Sequence, residues 1–390
     1  MMDTKSLLLW LAGAEGTTSD GAVTERLHAA GMIFRYPDGR PWRWKFSTMF
    51  RAAQRWDRGE DLRALVNWTH EVGSNGWRIF CQTSPRFGPD PIVLAPRRIR
   101  AFCQWAADQG LRIETTVLCD CEQLGMGFEQ QRDRLLRVVE AVANEPNVFV
   151  ELYNEPHQNS NGVYQDDMAR ACGYDNPANR PVLMATGSSS VLEDGDLLVL
   201  DYMTEHLQRK PDWPVEASKT GHFLYEGWGA DDHNAGWRGA FCPIVSDEPI
   251  GAAEVQRRWS RDDRVEAFED GGGGFGVGCA GATFHSDGGG QAIVPGPVQT
   301  ACARGYFGAM NFFPADVPTG RYTHGGFGNH PLEEIPIGDA GEDAGRTFEG
   351  LAYIVVAQPT DRWHPQPKPG WTISETFTNG RNNLMVLRHD

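Results

Sequence analysis

Positive charge is scarce in this chain. Its 390 residues carry 36 Lys and Arg against 52 Asp and Glu, a formal net charge of −16 at pH 7 with His neutral. Binding to a phosphate backbone rests on clustered Lys and Arg, so no nucleic-acid partner is expected. No apolar run approaches the ~18 residues of a spanning helix, so no membrane partner is expected and the protein reads as soluble. Paired-cysteine motifs are missing as well. Cys81, Cys103, Cys119, Cys121, Cys172, Cys242, Cys279 and Cys302 are scattered, and Cys119-Asp120-Cys121 is too short for a CxxC pattern. Buried free thiols in a reducing compartment are therefore expected, and no zinc site. Neither HxH nor HExxH occurs, which disfavours metal-dependent hydrolysis; no metal and no cofactor are expected. At the amino terminus, Lys5, Leu7 to Ala12 and Ala12-Gly13-Ala14 have the order of a secretory signal. The apolar stretch is short and Asp3 offsets Lys5, so a cytoplasmic or virion-associated protein is expected rather than one exported by a signal peptide.

What the chain has in excess is tryptophan, thirteen residues. That is more indole than one core needs and points to a flat apolar ligand such as a sugar ring. With 40% hydrophobic and 23% charged residues the composition is that of an ordinary globular protein.

From about Pro41, strand-like and helix-like runs alternate. Helices are predicted over Asp61 to Val72, Pro96 to Gln109 and Gln130 to Ala143 from apolar residues three and four apart. Strands are predicted at Trp44 to Met49, Trp77 to Phe80, Leu111 to Leu118, Val148 to Tyr153, Pro181 to Ala185, Leu197 to Tyr202, Cys242 to Ser246 and Ala280 to Phe284. Eight strands at roughly 31 residues per unit suit an α/β fold of the (β/α)8 TIM barrel type, with an open doubly wound sheet as the alternative. The fifth unit is short, and its helix between Ser188 and Gly195 must be stunted or replaced by a turn. Phe313 to Gly345 reads as an irregular connection. Strands at Leu351 to Gln358, Trp371 to Glu375 and Asn383 to Arg388 then predict a small C-terminal β appendage. The expected division is an N-terminal extension over 1–31, a barrel over 32–340 and the appendage over 341–390.

Two segments carry the chemistry. Phe149-Val150-Glu151-Leu152-Tyr153-Asn154-Glu155-Pro156 is a strand that ends by presenting Asn154 and Glu155 before proline turns the chain. Phe241 to Pro249 repeats the arrangement with Glu248. The separation is 248 − 155 = 93 residues, and three barrel units come to about 93. The two carboxylates would thus end the fourth and seventh strands, at the barrel face where chemistry is done.

On these residues the chain resembles the clan A glycoside hydrolases, the retaining β-glycanases that include cellulase-like and mannanase-like families. Arg78 in Trp77-Arg78-Ile79, His206 after Asp201-Tyr202-Met203-Thr204, and Tyr36 to Trp42 before the first strand add to the resemblance, which spans roughly Met32 to Pro314. It implies Glu155 as general acid/base and Glu248 as nucleophile, about 5–5.5 Å apart across a β-glycosidic bond. Arg78 would keep Glu248 ionised. Asn154 would hydrogen-bond the sugar 2-hydroxyl, and Tyr202 or His206 would orient the nucleophile or a hydroxyl. The implied partner is a carbohydrate substrate. In that group the eighth strand often ends in Trp; here it reads Ala282-Thr283-Phe284-His285, and Phe284 or His285 is the candidate for that place.

Other readings stand beside these. Glu151 has the strand parity of Glu155 and, if buried, needs a partner such as an Arg, a structural role that Arg78 could equally serve. Trp42, Trp44, Trp56, Trp228 and Trp237 are candidates to stack on a sugar, whereas Trp68 and Trp105 read as packing. Gly276 to Gly281 satisfies GxGxxG without the strand-turn-helix context of a nucleotide site. The alternative function is a carbohydrate-binding or virion-associated structural barrel with little or no catalysis; a metal-assisted barrel hydrolase is the third.

Overall fold

The computed structural model describes residues 21–30, 33–85, 91–187, 200–206, 244–247, 280–286, 289–297, 299–300, 303–304, 307, 321–324, 346–349, 353–359, 370–378 and 382–389. Three short antiparallel strands come first: β1 (His28–Ala30), β2 (Ile33–Arg35) and β3 (Pro41–Trp42). The boundary expected at 31/32 therefore falls between two paired strands, β1 and β2, and Leu27 before them is already buried.

Eight parallel strands then close into a barrel. In chain order they are β4 (Trp44–Thr48), β5 (Gly76–Phe80), β8 (Arg112–Leu118), β9 (Val148–Tyr153), β10 (Leu183–Gly187), β11 (Tyr202–His206), β12 (Ile244–Asp247) and β13 (Gly281–Phe284), the last pairing back onto the first. A two-stranded hairpin, β6 (Gln82–Thr83) and β7 (Ile92–Val93), interrupts the second unit. The open-sheet alternative is ruled out by that closure. The sixth strand is the one misplaced from sequence. It begins at Tyr202, where the apolar run at 197–202 was expected to end, because its inward positions Tyr202 and Thr204 are polar-tipped and serve buried carboxylates.

Helices Arg63–Glu71, Pro96–Asp108 and Phe128–Val142 match the expected three. Each turns an apolar stripe to the barrel: Leu65 and Val66; Ile99, Phe102 and Ala106; Leu135, Val138 and Val142. They meet the outward residues Trp77, Ile79, Ile113, Val150 and Leu152 in one core. The expected fifth-unit helix lies outside the described residues.

The interior is filled by large side chains. Two glycines make room for them: a Cβ on Gly76 would meet the Phe46 ring at 2.1 Å, and one on Gly281 would meet the Trp44 carbonyl oxygen at 1.9 Å. Gly281→Ala is expected to cost about 1–3 kcal/mol through this overpacking, read as a lower urea midpoint with an unchanged slope.

A five-stranded antiparallel sheet ends the chain, in the order β14 (Arg321–His324), β15 (Arg346–Glu349), β16 (Tyr353–Pro359), β18 (Asn382–His389), β17 (Trp371–Thr378). Its three longer strands were expected. Arg321–His324 lies in the stretch expected to be irregular, and the division expected at 340/341 falls inside the sheet, between its first two strands. Short polar segments among Gly, Pro and Asp carry little period-two signal, and their pairing is a tertiary matter.

Candidate active site

Glu155 follows directly on the fourth barrel strand. The Asn154 amide still donates to the Leu118 carbonyl at 3.0 Å, extending the β8–β9 pairing by one residue. The chain then turns sharply. Glu155 has φ 45° and ψ 70°, a left-handed conformation, and Pro156 starts a one-turn helix, Pro156–Asn159. A non-glycine residue held there stores about 1–3 kcal/mol of strain and persists only where its surroundings over-determine it. Asn159 does much of that: its backbone amide donates to the Glu155 carbonyl at 3.1 Å, and its Nδ2 donates to the Asn154 carbonyl at 3.0 Å. The Asn159 carbonyl in turn accepts from the Cys121 amide at 2.8 Å. Tyr153 anchors the same turn from outside through its hydroxyl to Gln131 Oε1 at 2.7 Å. Asn159→Ala is expected to lower stability by about 1–3 kcal/mol, since it strands a buried carbonyl; chemical denaturation measures this.

Beneath the turn lies a buried polar layer. Arg78, Glu114, Glu151 and Tyr202 are all fully buried inside the barrel. Arg78 donates from Nη2 and Nε to Glu151 Oε2 at 2.7 and 3.1 Å, and its Nε lies 3.6 Å from Glu114 Oε2. Thr204 donates to Glu151 Oε1 at 2.7 Å, and the Thr116 hydroxyl donates to Glu151 Oε2. Tyr202 donates to Glu114 Oε1 at 2.9 Å. Burial above all, with Glu114 and Glu151 nearby, pushes the Tyr202 hydroxyl well above its ordinary pKa, so it stays a donor. One further Arg78 contact points upward, Nη2 to Asn154 Oδ1 at 3.0 Å. On its other side Asn154 Nδ2 comes within 3.5 Å of Glu155 Oε2.

The predicted residues fall as follows. Glu155 and Asn154 lie together at the carboxyl end of the barrel. Glu248 lies outside the described residues; β12 ends one residue before it, at Asp247. His206 is the last residue of β11, in register with Asp247. Arg78 stands on the expected strand, and among the described residues the carboxylates at its guanidinium are Glu151 and, further off, Glu114. Tyr202 is corrected: it begins its strand instead of ending it, so its hydroxyl reaches Glu114 and not the mouth.

Trp42 and Trp44 are also corrected. They stand at the amino-terminal end, where Trp44 stacks on Phe46 at 3.8 Å and Trp42 on Phe149 at 5.7 Å, with Phe34 against both indoles. Trp44 Nε1 donates to Thr283 at 3.1 Å. Indoles beside the first strand belong to the plug that the β1–β3 sheet pushes into the barrel floor. Trp56 packs edge-on against Phe102, outside the barrel. Trp228 and Trp237 lie outside the described residues. At the eighth strand the two candidates separate: Phe284 is buried against Phe307, while His285, the residue after β13, is half-buried with its ring 5.9 Å from that of Phe50.

Glu114, Thr116 and Thr204 were missed by sequence reasoning. A signal for the first two exists, since a carboxylate and a hydroxyl two apart in Arg112-Ile113-Glu114-Thr115-Thr116 share a face of a strand buried on both sides. The described cysteines are free thiols. Burial pushes Cys81 and Cys121 up to about 12, which makes both inert as nucleophiles. Among the described residues no group of three His, Cys, Asp or Glu could hold a metal ion, and no helix is long and apolar enough to cross a membrane.

No family model matches the chain, and no curated protein sequence matches it. Solved structures do. A glycoside hydrolase of family 5 from Bacteroides vulgatus superposes with a TM-score of 0.60 at 14% identity, covering 93% of this chain and 93% of that one. A structure described as a glycoside hydrolase gives 0.59 at 12% identity, covering 94% and 97%. A further Bacteroides vulgatus structure, described as a putative glycoside hydrolase, gives 0.58 at 13%, covering 96% and 83%. At such identities the likeness is one of fold, and it agrees with the resemblance carried by Asn154-Glu155-Pro156: the chain has the fold of the clan A glycoside hydrolases.

Proposed function

We propose that the protein is a retaining glycoside hydrolase that cleaves β-glycosidic bonds of a polysaccharide or oligosaccharide through a covalent glycosyl-enzyme intermediate. The observation that carries this reading is Glu155 on its strained turn at the carboxyl end of the fourth barrel strand, with Asn154 beside it. The seventh strand ending one residue before Glu248 supports the pairing of the two carboxylates.

In the first step protonated Glu155 donates to the leaving oxygen while ionised Glu248 attacks the anomeric carbon. In the second Glu155 takes a proton from water, which attacks that carbon and releases Glu248. Asn154 donates to the 2-hydroxyl, a contact that strengthens as the ring gains oxocarbenium character. No cofactor takes part in this scheme.

A panel of aryl β-glycosides and polysaccharides tests the reading with the wild type, Glu155→Gln and Glu248→Gln. Hydrolysis by the wild type and its loss in both variants is expected; full activity in either variant would overturn the assignment. One observation favours a second reading, a carbohydrate-binding or virion-associated barrel with little catalysis: His285 follows the eighth strand where the resembling hydrolases often have Trp. Binding to polysaccharides without turnover would select it.

A further inference from the structure

The contacts beneath Asn154 have a fixed polarity. A side-chain amide offers an accepting oxygen on one side and a donating NH2 on the other, and a free amide turns between them. Arg78 offers donors alone. With its Nη2 at 3.0 Å from Asn154 Oδ1, the amide oxygen is turned down to the guanidinium and the NH2 up to the Glu155 side. The guanidinium is oriented by Glu151, which accepts from both Nη2 and Nε. Glu151 is held by two hydroxyls from different strands, Thr116 on β8 and Thr204 on β11. Arg78 and Glu151 are fully buried, so Glu151 acts only through its neighbours.

We propose that Glu151 is a positioning residue that makes Asn154 a hydrogen-bond donor toward the substrate. Glu151 sets the Arg78 fork, Arg78 occupies the Asn154 oxygen, and the NH2 is presented to the hydroxyl next to the anomeric carbon. This rests on the glycosidase reading. It adds a specificity: the preference for a 2-hydroxy over a 2-deoxy sugar is set by a buried carboxylate that never touches the sugar.

The probes are aryl β-glycosides and their 2-deoxy counterparts, compared in the wild type, Glu151→Gln, Thr204→Val, Asn154→Ala and the Glu151→Gln/Asn154→Ala double variant. Glu151→Gln is expected to lower kcat/KM about 10- to 100-fold more on the 2-hydroxy than on the 2-deoxy substrate. The loss should lie in kcat, because the contact tightens in the transition state. Asn154→Ala should erase the preference, and adding Glu151→Gln to it should change the ratio no further. Thr204→Val, which removes one hydrogen bond to Glu151 and leaves the ion pair, should show the same pattern at a few-fold and guards against misfolding of the charge variant. Equal losses on both substrates in Glu151→Gln and Thr204→Val would overturn the proposal and leave Glu151 a structural residue. Should the wild type hydrolyse none of the probes, it is the glycosidase reading that fails. The relay is then read directly from the side-chain amide signal of Asn154 in protein labelled with 15N-asparagine, assigned by its loss in Asn154→Ala. A signal rigid in the wild type and mobile in Thr204→Val supports the relay; one unchanged in Thr204→Val overturns it.

Discussion

Glu155→Gln is expected to slow hydrolysis of a glycoside with a poor leaving group by about 10²–10⁴-fold, the range of a positioned general acid. Glutamine keeps the shape of the side chain and its place on the turn but has no proton to give at neutral pH. The loss should shrink as the leaving group improves, because a nitrophenolate departs without protonation, and steady-state kinetics over a series of aryl β-glycosides measures that slope. A uniform loss along the series would assign Glu155 to binding. Small-residue variants extend the test: azide should restore turnover in Glu155→Ala and Glu248→Ala, giving glycosyl azides of opposite anomeric configuration. That outcome requires a covalent intermediate in the first variant and direct displacement in the second, and product stereochemistry by NMR reads it.

Arg78→Met is expected to lower the free energy of unfolding by about 3–5 kcal/mol, the cost of removing one partner from a buried ionic cluster. The methionine fills part of the space, so packing is a minor part of the loss. What remains is two fully buried carboxylates, Glu114 and Glu151, that have lost the guanidinium between them. Denaturant unfolding of the two proteins at pH 7 checks the figure. Arg78→Lys separates charge from geometry: it keeps the charge but lacks the rigid fork that brings Nε and Nη2 together onto Glu151 Oε2 with Nη2 also on Asn154, so it should recover only part of the stability. An Arg78→Met protein as stable as the wild type would show that the layer is relaxed by water or by protonation.

The same residues explain how much was legible beforehand. The α/β alternation, most strand positions and three helices follow from local periodicity, which is set by which face of each segment meets the core; closure is decided by the pairing of β13 with β4. Val148 to Tyr153 followed by Asn154-Glu155-Pro156 is therefore readable as a strand delivering a carboxylate to a barrel mouth. The sixth strand was shifted because an apolar run is a poor guide where a strand faces buried polar groups. Trp42 and Trp44 are not legible as floor residues, because aromatic content does not say which end of a barrel it occupies. His285 and Phe284 are adjacent in the chain, and strand alternation alone leaves open which one faces the mouth.

By itself the sequence determined the α/β alternation, the place of Glu155 at the end of its strand and the parity that brings Glu151 inside, since these depend on spacing along one chain segment. Only the tertiary structure decided the partners: that Arg78 clasps Glu151, that Tyr202 serves Glu114, that Thr116 and Thr204 close the layer, and that the indoles near the first strand plug the floor. Those contacts join residues up to 239 apart in the chain. They are set by the stagger of eight strands around a closed barrel, a geometry that exists only once every strand has found its neighbour.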